Sequence, residues 1–174
     1  MPYTKATALK NTGTMANFCS NRVAFEGSKT AIQHIQALFE GMRQKEEQTG
    51  KGQLPDFIER EDGYFLDLYC EEGDIGIIQY ETRWAPNTEI LKIIADHHNI
   101  GFVLDYEELG NLVFGRTTYS QGELVDIYLE PEDFDTYELD FDTGIYHFEG
   151  QEYEYDCDIL ETLLERRIQQ KDKV

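Results

Sequence analysis

The stretch DIGIIQYETRWAPNTEILKIIADHHNIGFVLDYEE, residues 74–108, places a strand, a helix and a second strand in direct succession. Residues Asp74–Trp84 read as the first strand. Pro86-Asn87 then opens a helix running through His98, since proline in a first turn sacrifices no hydrogen bond and Asn87 can act as the cap. Ile90, Leu91, Ile94 and either Ile93 or His97 fall on one side of that helix and form its buried face. Asn99–Glu108 returns as a strand with Ile100, Phe102, Leu104 and Tyr106 on one face. Parallel strands require a crossover, and the helix between them supplies one.

Working outward, the chain repeats this arrangement upstream. Asn17–Glu26 alternates, with Cys19, Val23 and Phe25 on one face and Arg22 and Glu26 on the other, as in a half-buried strand. Ser28 is placed to cap a helix from Lys29 to about Glu47, whose stripe is Ile32, Ile35, Phe39 and Met42. A loop over 48–63 leads to a strand at Tyr64–Cys70, and Glu71-Glu72-Gly73 turns it into Asp74–Trp84. Downstream, Leu112–Tyr119 and Glu123–Glu130 follow through short turns that require antiparallel neighbours. The order predicts an α+β chain: a ferredoxin-like antiparallel sheet with helices packed on one face. Residues 1–14 read as a flexible leader and 15–130 as the ferredoxin-like domain. Residues 131–174 read as an acidic, aromatic-rich hairpin around Thr143-Gly144 and a helix over Asp158–Lys171, packed on the same domain.

Charge is distributed unevenly. The chain has 35 acidic and 15 basic residues, a formal net charge of -20, and between Asp105 and Asp158 seventeen acids face a single base, Arg116. Such a surface repels nucleic acid and anionic membranes, so neither is expected as a direct partner. No apolar run approaches a membrane span, and the first fourteen residues lack the apolar core of a signal peptide. Cys19, Cys70 and Cys157 are odd in number and widely spaced, which argues against a disulfide framework or zinc site and for a cytoplasmic setting.

Candidate binding residues gather at the strand end: Asn21, Tyr80, Thr82, Arg83 and Trp84. Trp84 could offer a flat stacking surface with Arg83 as a charged neighbour on the opposite face. The competing reading has Trp84 plugging the gap between sheet and second helix while Asn21 bonds a backbone group. His97 and His98 are adjacent on a helix and point about 100° apart, so they do not share a metal easily. Asp140-x-Asp142-x-Gly144 resembles the start of a calcium loop, but Ile145 and Gln151 occupy the positions where that loop needs glycine and glutamate. Asp133, Asp135, Glu138, Asp140 and Asp142 therefore read as a solvated acidic interaction face and not as metal ligands. No glycine-rich phosphate loop, G-x-S-x-G or H-E-x-x-H occurs; the sequence calls for no cofactor and points away from catalysis.

Two segments carry a family resemblance. Met15-Ala16-Asn17-Phe18-Cys19-Ser20-Asn21 is similar to an opening "MANxCSN", and Tyr80-Glu81-Thr82-Arg83-Trp84-Ala85-Pro86 to a strand-to-helix "TxWxPP". Together with Phe102–Glu108 and Phe114-Gly115, they resemble the ferredoxin-like domain of YubB-type proteins, related to the Api92-like proteins of plasmids, phages and integrative elements. The resemblance runs over roughly residues 15–130 and departs at Asn87, where a second proline is usual. It implies a ferredoxin-like fold, a mobile-element context and Met15 as the ancestral start, and it implies no reaction.

Two functions from different classes are therefore expected. One is a non-catalytic module that binds another protein, a basic one in its sharpest form, with rows of carboxylates imitating DNA phosphates. The other is a small-ligand protein or enzyme with a pocket near Trp84.

Overall fold

The computed structural model describes residues 17–173; the leader over 1–14 and the start at Met15 lie outside the described residues. Strand β1 (Phe18–Glu26) and helix α1 (Lys29–Thr49) are followed by β2 (Leu66–Cys70), β3 (Ile77–Arg83), helix α2 (Thr88–His98) and β4 (Gly101–Glu108). Strands β5 (Val113–Ser120) and β6 (Glu123–Tyr128) complete a six-stranded sheet in the order β2-β3-β1-β4-β5-β6, every neighbouring pair antiparallel. Because β1 and β2 are both antiparallel to β3, the two strands joined by α1 run the same way with a third between them. The same holds for β3 and β4 about β1. This is the split β-α-β arrangement of a ferredoxin-like sheet, lengthened at one edge by a meander.

Local chemistry explains most boundaries. Ser28 caps α1 by accepting from the Ala31 amide at 3.2 Å, and Gly50 ends it in the left-handed conformation. Asn87 precedes α2 but its side chain does not cap; it is committed to Tyr80 and Gly63 instead. The buried face of α2 is Ile90, Leu91, Ile94 and Ala95, whereas Ile93 is partly exposed and His97 stacks on Phe57 with ring centroids 4.0 Å apart. Ala95 takes the inner place because an alanine lets the helix approach the sheet closely.

Alternation along β1 sends Cys19, Asn21, Val23 and Phe25 inward and leaves Phe18, Ser20 and Arg22 outside. The inward residues join Ile35, Phe39, Leu91, Ile94, Phe102 and Leu104 in one continuous core between the sheet and helices α1 and α2.

The chain beyond Leu129 builds a second unit. A short helical turn over Pro131–Asp135 leads into a three-stranded sheet, β7 (Glu138–Asp140), β8 (Ile145–Phe148) and β9 (Gln151–Tyr153), and then helix α3 (Asp156–Lys171). The sequence predicts one hairpin here; the structure has two, because Glu149-Gly150, with both residues at positive φ, closes a second tight turn. Along β5, Thr117 and Tyr119 face the α1/α2 core, while Phe114 and Arg116 face the other way and meet α3. Helix α3 thus lies on the opposite face of the main sheet, over β5 and β6, burying Leu160 and Leu164 against Leu129, Phe114 and Ile127. No helix among the described residues is long and apolar enough to cross a membrane.

Candidate functional site

The residues singled out near the first helix crossover separate into two sets. Asn21, Tyr80 and Thr82 are buried on the helix-facing side; Arg83 and Trp84 are outside. Trp84 is 56% exposed, which overturns the reading that it plugs the gap between sheet and α2. The cleft of about 450 Å³ between Glu26, Asp96, Asn99 and Tyr119 opens at the far end of the sheet, so it does not involve Trp84.

The turn that carries Trp84 is strained and heavily braced. The Ala85 amide donates to the Arg83 carbonyl at 2.9 Å, and Trp84 between them has φ 70°. This is a γ-turn of the rare positive-φ kind, a conformation that costs a bulky residue about 1–3 kcal/mol. Buried polar groups hold it. The Trp84 amide donates to the Asn17 carbonyl at 2.9 Å, and the Thr82 hydroxyl donates to the Ala85 carbonyl at 2.8 Å. The Asn21 amide group donates to Thr82 Oγ1 at 2.9 Å and to the Cys19 carbonyl at 2.8 Å. On the next inward position of β3, the Tyr80 hydroxyl donates to Asn87 Oδ1 at 2.8 Å, and Asn87 donates to the Gly63 carbonyl at 2.9 Å. Asn21 and Tyr80 are thus supports of the turn, and Arg83 and Trp84 are what the turn presents. Burial raises the Tyr80 phenol well above its ordinary pKa and pushes the neighbouring Cys19 thiol up to about 11. Neither supplies a nucleophile near neutral pH.

The acidic residues also divide. Asp133 accepts from the Glu130 amide at 2.8 Å and pairs with Arg167 at 2.7 Å, so it fixes the start of the second unit to α3. Asp140 accepts from the Asp142 amide at 2.9 Å, closing the β7–β8 turn, and these backbone donors hold its carboxyl below the usual range. Asp135, Glu138 and Asp142 are exposed and make no side-chain hydrogen bond or ion pair among the described residues. Between Asp140 and Asp142, Phe141 projects from the turn and is 90% exposed. No group of three or more His, Cys, Asp or Glu among the described residues could hold a metal ion.

Two aromatic residues escaped the sequence reading as site candidates. Phe18 pairs directly with Arg83 across β1 and β3 and is 46% exposed. Its parity with Ser20 and Arg22, already visible in the alternation, was the available signal. Phe141 had a signal too, since an aromatic between two aspartates at a tight turn has no sheet face to bury on.

The split β-α-β topology of the main sheet, with α1 and α2 on one face, defines a ferredoxin-like domain. The chain belongs to the family described as the ferredoxin-like domain in Api92-like protein, whose model matches residues 63–149, half of the chain. That match begins just before β2 and continues through β8, so it takes in much of the acidic unit that the sequence resemblance leaves outside, and it does not include β1. Neither the curated proteins nor the solved structures contain a match to the chain.

Proposed function

We propose that this protein is a non-catalytic cytoplasmic binding module that engages a basic protein partner through its acidic C-terminal unit. The observation that carries this reading is Phe141, the most exposed large hydrophobic residue described, held at a hairpin tip between two aspartates. An aromatic anchor surrounded by charge is the usual composition of an interface hot spot, and such a residue left in water gains most from being covered. The carboxylates of Asp135, Glu138 and Asp142 in the same unit make no ion pair among the described residues, which leaves them available to steer a cationic surface. They also stand on ordered backbone, which lowers the entropy cost of presenting them. The sharpest form of the reading is a DNA-binding protein whose basic cleft accepts these carboxylates in place of phosphates.

The test is a titration of purified basic DNA-binding proteins at low and raised salt. A salt-sensitive complex is expected, weakened about tenfold or more by Phe141→Ser and by the pair Glu138→Gln with Asp142→Asn. Absence of a salt-sensitive complex, or a complex indifferent to both changes, overturns the proposal.

A further inference from the structure

The acidic unit leaves the Trp84 turn without a role, and that turn has three features that packing does not explain. Trp84 sits in a strained backbone conformation yet is more than half exposed. Phe18, opposite Arg83 on the adjacent strand, is also exposed, and neither its ring nor that of Trp84 stacks on another aromatic among the described residues. The third feature is charge. The chain has seven arginines, and Arg22, Arg43, Arg60, Arg116, Arg166 and Arg167 each pair with a carboxylate. Arg83 pairs with none among the described residues, although Glu81 lies two positions back on the same face of β3. In a protein with 35 acidic residues, an arginine that has no carboxylate partner among the described residues, opposite Phe18 and next in sequence to Trp84, is the exception to be explained.

We propose that Phe18, Arg83 and Trp84 form an open site for a mononucleotide, its base stacked on the aromatic surface and its phosphate held by the Arg83 guanidinium. A planar ring carrying an anion matches all three residues at once: aromatic faces stack bases without sequence preference, and guanidinium forms paired hydrogen bonds with phosphate oxygens. The ligand is a single nucleotide and not a strand, because each further phosphate would meet a molecule of net charge -20. Asn21, Thr82 and Tyr80 are positioning residues in this site, acting through the turn they brace.

Trp84 is the chain's single tryptophan, so its fluorescence reports the site directly. Adenosine monophosphate should quench it saturably in the millimolar range or below. Adenosine without the phosphate, and Arg83→Gln with the phosphate, should each bind about tenfold more weakly, the loss of one charge-assisted contact. Inorganic phosphate alone should leave the emission unchanged. Arg83→Gln is expected to keep the wild-type thermal midpoint, since Arg83 is exposed and makes no ion pair among the described residues. Phe18→Ser, followed by the same fluorescence, should weaken the nucleotide without altering its phosphate dependence. No saturable quenching up to about ten millimolar, or quenching that ignores both the phosphate and Arg83→Gln, overturns the site.

Discussion

The two faces of the main sheet are covered by units built on different principles. On one, α1 and α2 close over twenty buried apolar residues, with Phe39 at its centre in contact with Phe25 and Phe65, ring centroids 5.6 and 5.2 Å away. On the other, α3 and the turn after Leu129 pack on β5 and β6 in a cluster in which three residues are buried, Leu129, Leu160 and Leu164. Arginines join that unit to the sheet and to itself. Arg116 on β5 bridges Asp105 and Glu165, Arg167 holds Asp133, and Arg166 grips Glu149 with both carboxylate oxygens, at 2.7 and 2.8 Å. These pairs are partly exposed and individually weak, so the second unit is the one that opens at lower cost. The difference explains where basic residues are spent: they fasten the acidic unit from within, and Asp135, Glu138 and Asp142 have no basic partner among the described residues.

The comparison can be broken most sharply at Phe39. Phe39→Ala should cost about 3–5 kcal/mol and lower the whole unfolding transition, measured by denaturant titration followed through both Trp84 and amide exchange. Leu160→Ala should cost somewhat less, about 2–4 kcal/mol, and act locally. Exchange protection should fall in β7–β9 and α3 while β1, β3 and β4 stay protected, and trypsin should cut at Arg166 and Arg167 early. Simultaneous loss of protection in both units would show that they fold as one.

The smallest expected effect is at Glu107. Burial, with Asp156 nearby, raises its carboxyl above the ordinary glutamate value of 4.5. A raised folded pKa means its contribution favours folding fully below the unfolded value and is lost as pH rises through the folded value. Glu107→Gln should therefore stabilise the protein slightly at neutral pH, and the difference should vanish as pH falls below the normal glutamate range. Asp140 and Glu149 act in the opposite sense: backbone donors and Arg166 respectively depress them, so their contribution is present above the unfolded pKa and lost in acid. Thermal midpoints of wild type and Glu107→Gln across an acid-to-neutral series check the sign.

Much of the fold was readable because periodicity is local. The stripe Ile35-Phe39-Met42, the alternation through Phe102, Leu104 and Tyr106, and the Ser28 cap are each set by residues within a turn or two of one another. Asn87 was misread for the complementary reason. Its sequence position suits a cap, but Tyr80 and Gly63 compete for its side chain, and both reach it only through the sheet and the preceding loop. For Trp84 the sequence left a stacking surface and a gap plug both open, because a γ-turn at positive φ redirects a side chain in a way no pattern of residue types records.

The sequence by itself determined the element order through β6, the inward faces of β1 and β4 and the acid-rich character of the C-terminal third, since these follow from side-chain polarity and spacing along the chain. The tertiary structure decided which face of the sheet α3 would cover, which acids would be consumed by Arg166, Arg167 and tight turns, and which arginine would have no carboxylate partner among the described residues. Those outcomes depend on distances between residues far apart in the chain, and a single charge or ring acquires its role only when packing has fixed what stands opposite it.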